Sequence, residues 1–255
     1  LYIVTALFYL VGIALSYRQP WRTSWRWALL LPIMLHGALL AYTVHGTGEI
    51  NFNWSNAVSC VAWVCIAIFW LAQWRYVLYT LQAYLLIMAL LGLCLEGLLH
   101  TPHILSYTPT PLLHLHLGLG ILAYSTLTLA SALAIWMLCL EKSLQKHLQP
   151  KGYMPPLLLL ERILFQLIQI GFGLLSITLL SGFLFAESIF GKAFHANHKM
   201  VFGVLSWLIY AGLLWGRHQY GWRGKQALRW SLSGFLLLFL AYFGSKFVLE
   251  IILRR

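Results

Sequence analysis

Not one aspartate occurs in the 255 residues, and all side-chain negative charge rests on six glutamates. A chain without aspartate is a poor candidate for Mg-dependent phosphoryl transfer, which relies on such carboxylates to hold the metal. Charged residues of both signs make up only 9% of the sequence, against about 25% in soluble domains. The four cysteines, Cys60, Cys65, Cys94 and Cys139, lie inside apolar runs, and no two form a Cys-x-x-Cys pair. That spacing excludes covalent c-type haem attachment and thiol–disulfide exchange, and it argues against a thiolate zinc site. A glycine-rich phosphate loop, Gly-x-Ser-x-Gly and His-Glu-x-x-His are missing too. The motifs therefore give no support to an enzyme.

What fills the chain is apolar side chain, 61% of it. It comes in runs long enough to cross the ~30 Å hydrocarbon core, which takes about 20 residues of helix. The runs are apolar on all sides instead of alternating, which excludes a β-barrel. The expected fold is an all-α integral membrane protein, a bundle of about eight transmembrane helices in one polytopic domain over residues 1–255. The expected spans are Tyr2–Tyr17, Trp27–Val44, Ala57–Leu71, Tyr76–Leu99, Leu112–Leu140, Ile163–Ala186, Met200–Gly216 and Trp230–Leu249. Leu1 stands where an initiator Met is usual, so a trimmed N-terminus is expected. A signal peptide is not, because Arg18 and Arg22 follow the first run instead of preceding it.

The formal charge of +11 is spread unevenly. One set of alternate loops holds Arg18, Arg22 and Arg26, then Arg75, then Lys142, Lys146, Lys151 and Arg162, then Arg217, Arg223, Lys225 and Arg229. The opposite side has Lys192, Lys199, Lys246, Arg254 and Arg255. Cytoplasmic loops collect Lys and Arg, so the first set is cytoplasmic and both termini lie on the outer side. The positive charge thus reports topology, and no nucleic-acid partner is expected. Tryptophans near span ends, among them Trp27, Trp54, Trp74, Trp215 and Trp230, form the expected interfacial belt.

Histidine is abundant by contrast, with ten residues. In this topology His45, His100, His103, His114, His116, His195 and His198 fall on the outer face. His147 and His218 lie in cytoplasmic loops, and His36 is at mid-membrane. Imidazole titrates near neutrality and is costly to dehydrate, so this outer excess points to nitrogen ligation, proton movement or helix capping. His114 and His116 open a span two residues apart and point to nearly opposite sides of a helix, so one at most faces a ligand and the other meets headgroups. His195 and His198 are three apart and share a face if helical. His36, between Leu35 and Gly37, has no charged neighbour in sequence and reads as a bonded neutral imidazole, a buried cofactor-binding residue or a relay station. His100 and His103 flank Pro102 and rank low, and an interfacial role suffices for His45. Glu96 stands one turn before His100, and Lys246 one turn before Glu250, so each pair can neutralise itself. Glycines such as Gly118, Gly120, Gly171, Gly173 and Gly234 allow either close helix approach or space for a large flat ligand.

Two stretches carry a resemblance: LHLHLGLGILAYSTLTLASALAIWML (Leu113–Leu138) and HKMVFGVLSWLIYAGLLWGRHQYGWRGKQALRWSLSGFLLLFLAYFGSKFVL (His198–Leu249). Together they resemble the CcsA/CcmC/HemX superfamily of cytochrome c assembly proteins, in particular its short YpjD-type bacterial branch. The pieces SWLIYAGLL, GWRG and FGSKFVL, in that order, are the most specific. The resemblance implies haem handling in the membrane and at its outer face, with histidines as axial ligands and haem b as the cofactor. His114 then corresponds to the histidine opening an "LHV"-like span, His36 to an intramembrane histidine, and Lys199 to the lysine of a "WDPKE" element.

Two family features are missing. FAESIFGKAFHANH, before Lys199, contains no tryptophan, and the chain ends LEIILRR without the histidine that follows the last span. The expectation is a non-enzymatic haem-binding or haem-handling protein of the bacterial inner membrane, nearer the HemX-like members than a complete synthetase. Its iron ligands are His114 and either His195 or His198. Its expected partners are the lipid bilayer, haem and another membrane protein. Two alternatives stand beside it: a divalent-metal transporter or sensor using the outer histidines, and a structural or regulatory scaffold in which they are incidental.

Overall fold

The computed structural model describes residues 1–18, 25–45, 53–76, 78–99, 110–146, 155–184 and 198–241. Among them all regular structure is helical: α1 (Tyr2–Arg18), α2 (Trp25–His45), α3 (Trp54–Ala72), α4 (Tyr79–Leu98), α5 (Pro111–Gln145), α6 (Leu157–Leu184), α7 (His198–Tyr220) and α8 (Gly224–Phe239). The helices α2 to α7 are each long and apolar enough to cross a bilayer. The chain is a multi-pass all-α membrane protein.

Helix ends are set by chemistry that hydropathy does not see. Asn53 accepts the Asn56 backbone N–H at 2.7 Å, so α3 starts at Trp54, one turn before the expected Ala57. Thr110 accepts the Leu113 N–H at 3.2 Å with Pro111 in the first turn, which starts α5. Three further expected boundaries are corrected. The loop placed at Glu141–Pro156 is helical as far as Gln145, and α6 begins at Leu157, directly after Pro155-Pro156, well before Ile163. Similarly, α8 begins at Gly224 and not at Trp230. In each case the added turn carries a charged residue, Glu141, Glu161, Arg162 or Lys225, which hydropathy alone assigns to a loop. The end of the eighth expected span, with Lys246 and Glu250, lies outside the described residues.

The helices gather in two compact units, Leu1–Ser106 with Gln149–Pro155, and Tyr107–Leu148 with Pro156–Arg255. Within the first, neighbours run α1–α2, α2–α3, α3–α4 and α4–α1, closing a ring. Within the second, α5–α6, α6–α7, α7–α8 and α8–α5 close another. The glycines divide by role. A Cβ at Gly92 would come 2.9 Å from Ala62 Cβ, and one at Gly234 would come 2.9 Å from the Tyr210 ring, so both mark close helix approach. Gly118 and Gly173 face open space instead. The GWRG turn needs glycine for its backbone, since Gly221 and Gly224 have φ of 63° and 55°.

Candidate functional site

At the start of α5 the helix separates its two histidines, as their spacing predicts. His114 is exposed, and its Nδ1 lies 2.9 Å from the Thr110 carbonyl. A carbonyl only accepts, so Nδ1 carries the proton and Nε2 carries the lone pair. This is the orientation in which metal-ligating histidines are held: one ring nitrogen donates to a carbonyl and the other faces the metal. Gly118, one turn further along the same helix, opens onto space that a Cβ would narrow.

His116, expected among headgroups, is half-buried against α6 instead. Its Nδ1 is 2.8 Å from Ser181 Oγ, whose own proton goes to the Thr178 carbonyl at 3.0 Å. Ser181 therefore accepts from His116, which fixes the Nδ1–H tautomer here as well. Gly182 makes room, because a Cβ there would come 3.3 Å from His116 Cε1. Of the other outer candidates, His195, His100 and His103 lie outside the described residues. His198 opens α7, but its side chain is outside them too, as is that of His45.

His36 is fully buried in the first unit, and both of its nitrogens are engaged. Nδ1 lies 3.0 Å from Tyr9 Oη on α1, and Nε2 lies 2.8 Å from Ser59 Oγ on α3. Iron ligation would require giving up one of these bonds, so this arrangement favours the relay and bonded-imidazole readings over cofactor binding. His36 has no charged neighbour in sequence, but it has one in space. Glu96 Oε2, on α4, lies 3.9 Å from His36 Nε2 and accepts the Ser59 hydroxyl at 2.5 Å. Glu96 turns into the bundle, and its expected partner His100 lies outside the described residues. The polar spacing of α1 (Tyr2, Thr5, Tyr9, Ser16) could have signalled a buried stripe on that helix, but nothing in the sequence links it to Glu96.

The residues that carried the family resemblance bind helices to one another. Ser206 donates to the Gly234 carbonyl at 2.7 Å, and Tyr210 donates to that of Ser231 at 3.3 Å, joining α7 to α8. Trp207 stacks on Phe172 and donates to Ser176 at 2.7 Å, joining α7 to α6. Among the described residues, no three His, Cys, Asp or Glu side chains converge to hold a metal ion.

The structure is that of an all-helical multi-pass membrane protein, and its relatives define the family more closely. A family model described as cytochrome C assembly protein matches residues 23–253, and the chain belongs to that family. It is 29% identical to the inner membrane protein YpjD of Escherichia coli K12 over 235 residues, 91% of this chain and 89% of the relative. It is 31% identical to the cytochrome c biogenesis protein CcsA of Chlamydomonas reinhardtii over 129 residues, 51% of this chain and 36% of the relative. No solved structure matches.

Proposed function

We propose that this chain is a non-enzymatic haem-handling protein of the bacterial inner membrane, with haem b held at the outer face of its second unit. The observation that carries the reading is His114, whose Nδ1 is tied to the Thr110 carbonyl so that Nε2 holds the lone pair, beside the opening at Gly118. Family membership and the inner-membrane relative support the setting. His114 on α5 would hold the iron together with His198 or His195. Haem held by two imidazoles would supply iron suited to storage, transfer or electron transfer more than to oxygen chemistry. The chain's own part is to hold the tautomer of His114, through Thr110, and to keep the flat face open at Gly118. Without a tryptophan-rich outer loop, the chain is not a complete synthetase.

The test is the absorption spectrum of protein purified after haem-supplemented expression. A Soret band is expected, weakened by His114→Ala and by His198→Ala and unchanged by His147→Ala. No band in the wild-type protein would sink the reading. Zinc or copper without porphyrin, in protein purified without an affinity tag, would move it to the divalent-metal alternative.

A further inference from the structure

We propose that the first unit contains a proton relay, Glu96–Ser59–His36, that opens to the outer face and holds one proton inside the membrane. It lies in a different unit from the haem site proposed above and does not depend on it. Glu96 and His36 are buried, at 1% and 0% exposure, and Ser59 between them is fully buried. Ser59 Oγ is 2.5 Å from Glu96 Oε2 and 2.8 Å from His36 Nε2, so a single hydroxyl bridges an acid and a base. Thr43 and Tyr2 donate to Glu96 Oε1 at 2.9 and 3.1 Å, and Tyr9 closes the inner end at His36 Nδ1.

The placement gives the relay a direction. Glu96 is in the last turn of α4, Tyr2 in the first of α1, Thr43 in the last of α2 and Ser59 near the start of α3. The distribution of basic residues puts all four of these ends on the outer side. Tyr2 and Thr43 are half-buried and form the mouth, while His36 and Tyr9 lie deeper. The titratable groups facing Glu96 are Tyr2 on α1, His36 on α2 and Cys60 on α3, while Tyr9 on α1 faces His36. Among the described residues its one ion-pair partner is His36. A carboxylate buried with no permanent cation depends on hydrogen-bond donors, and the hydroxyls of Ser59, Thr43 and Tyr2 supply them.

The proton inventory balances without a co-reactant beyond the proton itself. In the imidazolium–carboxylate state Ser59 donates to Glu96 and accepts from His36 Nε2–H, while Nδ1–H is donated to Tyr9 Oη. Return of the Nε2 proton through Ser59 and its release from Glu96 to outer water leaves a neutral imidazole with its hydrogen on Nδ1. A proton arriving from outer water protonates Glu96. In the relay's transfer step the Glu96 O–H bond breaks as a new Ser59 O–H bond forms. The former Ser59 O–H bond breaks in turn as an Nε2–H bond forms. That step starts from the imidazole tautomer whose hydrogen is on Nδ1, donated to Tyr9. It converts imidazole plus carboxylic acid to imidazolium plus carboxylate, and the reverse step returns the proton.

The experiment uses the full chain in lipid nanodiscs, expressed without added haem, with 15N-labelled histidine. On acidification the wild type should gain an infrared carboxylic-acid band, and the His36 ring nitrogens should shift over the same pH interval. Glu96→Gln should abolish that band and also remove the coupled His36 shift. Ser59→Ala should keep the band but separate the two titrations, and Ser59→Thr should restore their coincidence. A wild-type spectrum without a band that depends on Glu96 would overturn the relay. So would a His36 titration unaltered in Glu96→Gln, a variant that keeps the hydrogen-bonding shape of the side chain. The haem reading is untouched by either result, since its own test is the Soret band.

Discussion

The Thr110 carbonyl does for His114 what Ser181 does for His116: each takes the Nδ1 proton and leaves the lone pair on Nε2. The two rings differ only in where they face, and two residues of helix, about 200° of rotation, account for that. Close packing at single residues is equally specific. Gly234→Ala would place a methyl group 2.9 Å from the ring of Tyr210, which is itself fully buried. The expected loss is about 1–3 kcal/mol, read as a lowered unfolding midpoint in detergent. Tyr210→Phe, which removes only the hydroxyl bonded to the Ser231 carbonyl, should cost less, about 1 kcal/mol. The burial of Glu96 was hidden from sequence for a physical reason. Its position in α4 shows proximity to the membrane edge, but not which of two sides it turns to.

Elements were legible where composition decides them and indistinct where caps do. The six long spans follow from hydrocarbon thickness, yet the starts of α3 and α5 follow from single oxygens on Asn53 and Thr110. The start of α8 depends on the GWRG turn, in which Trp222 N–H reaches the Gly216 carbonyl at 3.3 Å and Arg217 reaches the Trp222 carbonyl at 3.0 Å. Gly221→Ala and Gly224→Ala should each destabilise this turn by about 1–2 kcal/mol, the cost of a Cβ in the left-handed region. Arg217 also meets Glu161 at 2.6 Å and lies over the Phe165 ring at 4.3 Å, so its fork holds α7 to α6. Arg217→Lys loses that geometry and should lower the unfolding midpoint measurably. Arg223→Ala, at an exposed pair 3.8 Å long, should change it little.

For the molecule as a whole, topology is the property that its charges specify. In a cysteine-free background, a single cysteine at Lys225 should react with a membrane-impermeant maleimide only after the cells are opened. One at Thr110 should react in intact spheroplasts. The reverse pattern would invert the outer and inner faces and close the Glu96 relay to external protons. Composition and periodic apolar runs determined by themselves that the chain is a multi-pass helical membrane protein, because a backbone in hydrocarbon has few ways to satisfy its own hydrogen bonds. They also settled which loops are basic. Only the tertiary structure decided that two four-helix rings form, that His116 turns inward while His114 is exposed, and that His36 and Glu96 share a serine. Those outcomes depend on which faces of separate helices meet. Side-chain direction around a helix axis is a property of packing between segments far apart in the chain, and no single apolar run encodes it.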